Sequence, residues 1–242
     1  MRATVVATLA VGGLALSALA GCVHPPHVFG LRHDPTFTHQ SLDSGRIAVG
    51  GVTSIADDAA DRRVRSESLL INSLRETRPL LKVASAGSVA AEFGDKAHGE
   101  LLERYRSVGE LDSASLHEMS ARLPKLRYVV FARIDADLVD STETVTTDST
   151  GKDHTELSRS RTMTVGFHVY DMSLRRSVWS GQFTEKKSSS NDYDQPSSLL
   201  GAVVSALLDP YEYPAPPAQH KVLRPIFDAF AASLPQSSNR RM

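Results

Sequence analysis

The sequence predicts an α/β protein with a single mixed sheet. The predicted order is strand, helix, strand, two helices, then three antiparallel strands and C-terminal helices, with helices on one or both sheet faces. Three observations carry this. "LRYVVFARIDADLVDS" has apolar even positions throughout (Tyr128, Val130, Ala132, Ile134, Ala136, Leu138), while its odd positions turn from apolar (Val129, Phe131) to polar (Arg133, Asp135, Asp137). That describes a strand buried on both faces at its start and on one face later. "TMTVGFHVYD" alternates in the opposite phase, through Met163, Val165, Phe167 and Val169. Upstream of both, three segments carry helical rather than alternating periodicity.

Each element follows in chain order. "RIAVGGVTS", residues 46–54, is a short apolar strand. "DDAADRRVRSESLLINSLRETRP" places Val64, Glu67, Leu70, Ile71 and Leu74 on neighbouring turns, with acids at its start and Pro79 stopping it. "LLKVA" at 80–84 is a second short strand. "DKAHGELLERYRSVG" puts Ala97, Leu101, Leu102, Tyr105 and Val108 on one helical face. "SASLHEMSARLP" is a helix in which Ser115 and Glu118 form a capping box and Pro124 ends the run.

The two alternating strands form a hairpin across the polar stretch "TVTTDSTGKDHTELSRSR". Apolar even positions must face apolar odd ones, so paired residue numbers must add to an odd number. A two-residue turn at Thr150-Gly151 makes that number 301. It pairs Ala132 with Val169, Ile134 with Phe167, Ala136 with Val165 and Leu138 with Met163, and sets Asp140 opposite Arg161. A turn at Gly151-Lys152, adding to 303, keeps the parity. In the third strand, "SVWSGQFTEKK", Trp179 faces Val169 and Phe183 faces Val165. "SSSNDYDQPSS" is a polar linker, "SLLGAVVSALLD" a helix capped at Ser198, and "YEYPAPPA" a break. The last helix, "QHKVLRPIFDAFAASLP", buries Val222, Ile226 and Phe230, with Pro225 kinking it.

The N-terminus speaks to location. Arg2 is followed by an uncharged run, residues 3–20, ending in small residues, as in a secretory signal segment. A membrane span needs about 20 strongly apolar residues, and this run is too rich in Ala, Gly and hydroxyls. Leu19-Ala20-Gly21-Cys22 resembles the bacterial lipobox at all four positions. The resemblance implies cleavage before Cys22, a diacylglyceryl thioether on its sulfur and a third acyl chain on its new amino group. Stable anchoring does require more than one chain, at about 0.8 kcal/mol per buried CH₂. Val23, rather than Asp, implies sorting to the outer membrane, facing the periplasm. Cys22 is the only cysteine in 242 residues, so no disulfide can form within the chain and apolar burial must hold the fold. Cleavage removes Arg2 and no acid, moving the net charge from −1 to −2, a balance that offers nothing to nucleic acid.

The expected organisation is a signal peptide over 1–21, an acylated N-terminus and flexible tether over 22–44, an α/β core over 45–187, a linker and C-terminal helices over 188–234, and a disordered tail over 235–242. His24, His27, His33 and His39 fall in the tether, where a proline-broken chain lacks the scaffold zinc needs. No metal or cofactor is expected. Ser149–Lys152 matches S-x-x-K without its companion motifs, and lacks the first glycine of a P-loop. Asp135 and Asp137 read as ion-pair partners of Arg133, Arg159 or Arg161, and His168 is placed opposite Arg133. Trp179 reads as a core or sheet-face residue. No catalytic constellation is present.

"RIAVGGV", "YVVFARID", a long strand ending in Asp171 and "SVWSG" together resemble the curli-secretion-channel lipoprotein superfamily over residues 45–187. That group includes periplasmic activators of penicillin-binding proteins and resembles the amino-terminal domain of the Tol translocation protein. The turn "MSLRR" departs from its pattern by lacking a glycine. The resemblance implies a lipid-anchored interaction protein without catalysis, docking on a protein partner in the cell envelope, or alternatively a subunit of an oligomeric export complex. The hairpin arms hold only Val145 and Leu157 as large apolar residues and do not suit hydrocarbon. The tip, residues 142–158, is expected to project as a recognition element.

Overall fold

A computed structural model describes residues 25–56, 59–194 and 212–236. The expected signal segment, Cys22, the helix expected from Ser198 and nearly all of the expected tail lie outside the described residues. Six strands form one mixed sheet: β1 (His27–His33), β2 (Ile47–Ser54), β3 (Val83–Ala84), β4 (Tyr128–Thr147), β5 (Asp153–Asp171) and β6 (Arg176–Asp194). Their spatial order is β1-β6-β5-β4-β2-β3. β2 runs parallel to β3 and β4, whereas β4, β5, β6 and β1 are successively antiparallel. Six helices are described: α1 (His39–Ser44), α2 (Ala60–Thr77), α3 (Ala86–Phe93), α4 (Asp95–Val108), α5 (Ser113–Arg122) and α6 (Gln219–Ser233).

The alternation in β4 divides the core in two. Tyr128, Val130, Ala132 and Ile134 pack with Leu70, Ile71 and Leu74 of α2 and with Ile226, Phe227 and Phe230 of α6. Val129 and Phe131 face the other way, against Leu101, Leu102 and Tyr105 of α4 and Leu116 and Met119 of α5. The sheet is therefore covered by helices on both faces. Phe167 is the hinge of the first layer: its ring stacks on Phe230 at 4.2 Å and meets Phe183 and Phe227 edge-on at 5.5 and 5.9 Å. Trp179 is buried in the same layer.

Several elements differ from the sequence reading. The hairpin pairs Ala132 with Phe167 and Ile134 with Val165, so paired numbers add to 299, not 301. Beyond Ile134 the register shifts at Asp135, and from Ala136↔Thr164 outward it adds to 300. A bulge inserts one unpaired residue into one strand. It reconciles a longer turn, closed by Thr147 and Asp153, with the parity that the core demands. Arg161 consequently faces Val139, and Asp140 faces Ser160. The β5–β6 register follows the expectation, with Val169 on Trp179 and Val165 on Phe183.

The polar linker expected from residue 188 begins as strand, since β6 runs to Asp194 along β5. Likewise the expected tether contains β1, which pairs with β6, and α1. Neither stretch shows an amphipathic pattern because neither face of β1 is buried; backbone pairing with a neighbour makes it a strand. The α5 cap is Asp112, whose carboxylate accepts from Ser115 N at 2.7 Å, so Ser115 is inside the helix, and Glu118 pairs with Arg122. Val64 and Val108 are exposed, and His98 takes an inward place on α4 instead. α3 has no counterpart in the sequence reading.

Candidate interaction surface

β2 accompanies β4 only as far as Ser54↔Ile134, and β1 accompanies β6 only as far as His27↔Thr184. Past these points three strands continue alone. Residues 136–147, 153–164 and 185–194 form an arm extending about 35 Å at ~3.3 Å per residue. Among the described residues, neither the outer edge of β4 nor that of β6 has a strand partner along the arm.

The root of the arm is set by the bulge. Arg133 Nε lies 2.5 Å from Asp135 Oδ1, and Gln182 donates to Asp135 Oδ2 at 3.0 Å. On the α6 side, Arg161 Nε and Asp137 Oδ1 approach to 3.0 Å as an ion pair without hydrogen-bond geometry, while Arg161 Nη1 donates to the Pro217 carbonyl. Gln219, at the start of α6, donates to Asp137 Oδ2 at 2.5 Å. Ion pairing thus accounts for both aspartates, as their sequence suggests.

One arm face is strapped. Residues 212–218 run over it in an irregular, proline-rich path. Tyr193 Oη donates to the Glu212 carbonyl at 2.9 Å, Ser189 Oγ to the Ala215 carbonyl at 2.7 Å, and the Arg159 guanidinium sits 5.5 Å from the Tyr213 ring. Leu157 points to this face and is only 3% exposed, whereas Val145 of β4 is 55% exposed. The opposite face carries rows of small polar side chains, including Thr142–Ser158–Ser190 and Asp140–Ser160–Ser188.

The tip is organised by one carboxylate. Asp148 Oδ1 accepts from Thr150 N, Thr150 Oγ1 and Lys152 N at 2.8, 2.6 and 3.0 Å. The Thr150 hydroxyl and the Lys152 amide hold its pKa far below the usual carboxylate range. Gly151 takes φ +79°, a region where L side chains are strained. Ser149 to Lys152 therefore build a turn. Asp148 was legible only as a turn-former, an aspartate that hydrogen-bonds its own backbone two residues on.

The remaining sequence candidates sit elsewhere. His168 faces Phe131 rather than Arg133, with Nδ1 3.1 Å from Tyr105 Oη, and burial draws its pKa down. His27 and His33 lie on β1, and His39 opens α1. Asp171 caps the β5–β6 turn, accepting from Ser173 N, Ser173 Oγ and Leu174 N. In that glycine-free turn Arg175 itself adopts φ +53°. Among the described residues, no helix is long and apolar enough to cross a membrane.

No family model and no curated protein matches the chain. Among solved structures, it is similar to a PelC dodecamer from Paraburkholderia phytofirmans, at 14% identity over 88% of this chain and 99% of that one, with a TM-score of 0.38. It is also similar to the lipoprotein GNA1162 from Neisseria meningitidis (14% identity, 68% and 96% covered, TM-score 0.36). A third is the hypothetical protein CT253 from Chlamydia trachomatis (18% identity, 62% and 72% covered, TM-score 0.32). Similarity at this level assigns no role to this chain.

Proposed function

We propose that this is a periplasm-facing, lipid-anchored lipoprotein of the outer membrane that has no catalytic activity and docks on a protein partner of the cell envelope through its arm. The observation that carries the reading is the arm: three paired strands, strapped on one face and turned tightly at the tip, outlast the core they leave. Order beyond the core costs backbone entropy of about 1–2 kcal/mol per residue and needs a use or a cover. The lipid anchor at Cys22 rests on the lipobox and its apolar lead. Cys22→Ala should abolish palmitate incorporation and membrane partitioning; label that persists in the variant overturns the anchor. Replacing residues 142–158 with Asn-Gly tests the arm, because that pair suits a tight two-residue turn. The shortened protein should still reach its membrane but lose cross-linked partners, and unchanged cross-links refute the arm as the interface.

The two open arm edges favour a second reading, a subunit of an oligomeric export complex of the curli type, in which neighbouring arms pair edge to edge. Light scattering of the detergent-solubilised mature protein separates the two. A monomer or weak dimer fits docking, and a large closed ring fits the export subunit.

A further inference from the structure

β1 is the first strand after Cys22, and every one of its residues is exposed. Val28, Phe29 and Leu31 are 47%, 54% and 54% exposed, three large apolar side chains within four positions. Among the described residues, Phe29 is the one aromatic among the exposed large apolar side chains. Edge strands of soluble proteins are commonly blunted by charge or proline. β1 carries one such charge, Arg32, with His27 and His33 at its ends, beside its three exposed apolar side chains.

The chain between anchor and strand is short. Four residues separate Cys22 from His27, and the five Cα steps, at ~3.3–3.6 Å each, span at most about 18 Å whatever their conformation. The far edge of the sheet, β3, is five strand spacings from β1, about 24 Å at ~4.8 Å each. An acyl chain held in the bilayer therefore keeps the start of β1 within about 18 Å of it, the tightest such bound on any strand of the sheet.

We propose that β1 is a membrane-apposition edge: Phe29, Leu31 and Val28 enter the lipid headgroup interface beside the acylated Cys22. This rests on the lipid-anchor reading above. The interface suits this strand better than the hydrocarbon core does. Unpaired edge N–H and C=O groups need water or headgroup partners, and the hydrated interface supplies them. Arg32 there meets lipid phosphates, while the apolar side chains insert. A bulge at Gly30, with φ +58°, lies between Phe29 and Arg32 and turns successive side chains off strict alternation. Val28, opposite Phe183, and Phe29, opposite Gln182, point to different sheet faces. The sheet consequently meets the membrane edge-on rather than lying flat on it.

The test uses the acylated chain, in which the lone thiol is consumed by lipid, so an added cysteine takes a label by itself. Phe29→Cys and, on the far edge, Leu80→Cys (Leu80 is 88% exposed) are each labelled with an environment-sensitive fluorophore. Each is reconstituted into phosphatidylethanolamine–phosphatidylglycerol vesicles containing headgroup-nitroxide lipid. The label at position 29 should be quenched several-fold more than that at position 80. Equal quenching, with both proteins still sedimenting with vesicles, overturns the apposition and leaves the anchor standing. Shielding of position 29 from a water-soluble quencher without lipid quenching also overturns it, and points to a protein or a second copy on the edge. Failure of both proteins to sediment refutes the anchor and this inference with it.

Discussion

Leu157→Ala is the sharpest probe of whether the arm is a built element. Leu157 is 3% exposed on the strapped face, in the middle strand of three. Burying a leucine fully is worth about 1.5–3 kcal/mol, and Leu→Ala in cores costs about 2–5 kcal/mol. The cover here is one strap of irregular chain, which can settle into the space, so the lower end applies, about 2 kcal/mol. Val145, on the neighbouring strand but 55% exposed, should respond to Val145→Ala by no more than about 0.5 kcal/mol. Apart from Met163 at its root, the arm lies outside both core clusters, so the loss falls on local opening rather than on global unfolding. A cost of 2 kcal/mol raises the open fraction about 30-fold, at 1.4 kcal/mol per factor of ten. Hydrogen exchange at amides of residues 187–193 reads that change directly. Exchange equally fast in the Leu157 and Val145 variants would refute the strapped arm.

Three further outcomes follow from the core, the turn and the histidines. Phe167→Asp or Ile134→Asp buries an unpaired charge and should cost several kcal/mol, unfolding the domain in a thermal melt, while Thr146→Asp on the exposed arm is nearly silent. Equal losses at all three sites would refute the assigned strand faces. Arg175→Gly relieves a left-handed residue and should stabilise by about 1 kcal/mol, raising Tm by about 2–4 °C, whereas Arg175→Val should lower it. Burial draws the pKa of both His98 and His168 below the ordinary imidazole value, so the folded state favours the neutral rings. Their contribution is present above the ordinary imidazole value, about 6.5, and is lost as pH falls below it, so urea midpoints should drop as pH is lowered through and below about 6.5. His98→Gln, which keeps a donor for the Gly50 carbonyl, should make that slope shallower.

The sequence alone determined the fold class, the faces of β4 as far as Ile134 and of β5 and β6 in the core, and the core helices other than α3, because burial imposes a period of two or 3.6 on apolar side chains. The β5–β6 register was legible for the same reason: Trp179 and Phe183 had one way to share a layer with Val169 and Val165. Past the Asp135 bulge Ala136 and Leu138 turn away from the face expected for them. The lipidation proposed at Cys22 rests on four adjacent residues of the sequence. The β4–β5 register was not legible, because parity excludes odd slips but leaves 299, 301 and 303 equally apolar. The choice was made by the Asp135 bulge and the Asp148 turn, whose energies are polar and local. β1 and the outer half of β6 left no pattern either. They are strands because a neighbouring edge accepts their backbone hydrogen bonds, and that neighbour exists only once the chain has folded. The burial of Leu157 likewise depends on a strap more than 50 residues downstream, a contact that tertiary structure alone creates.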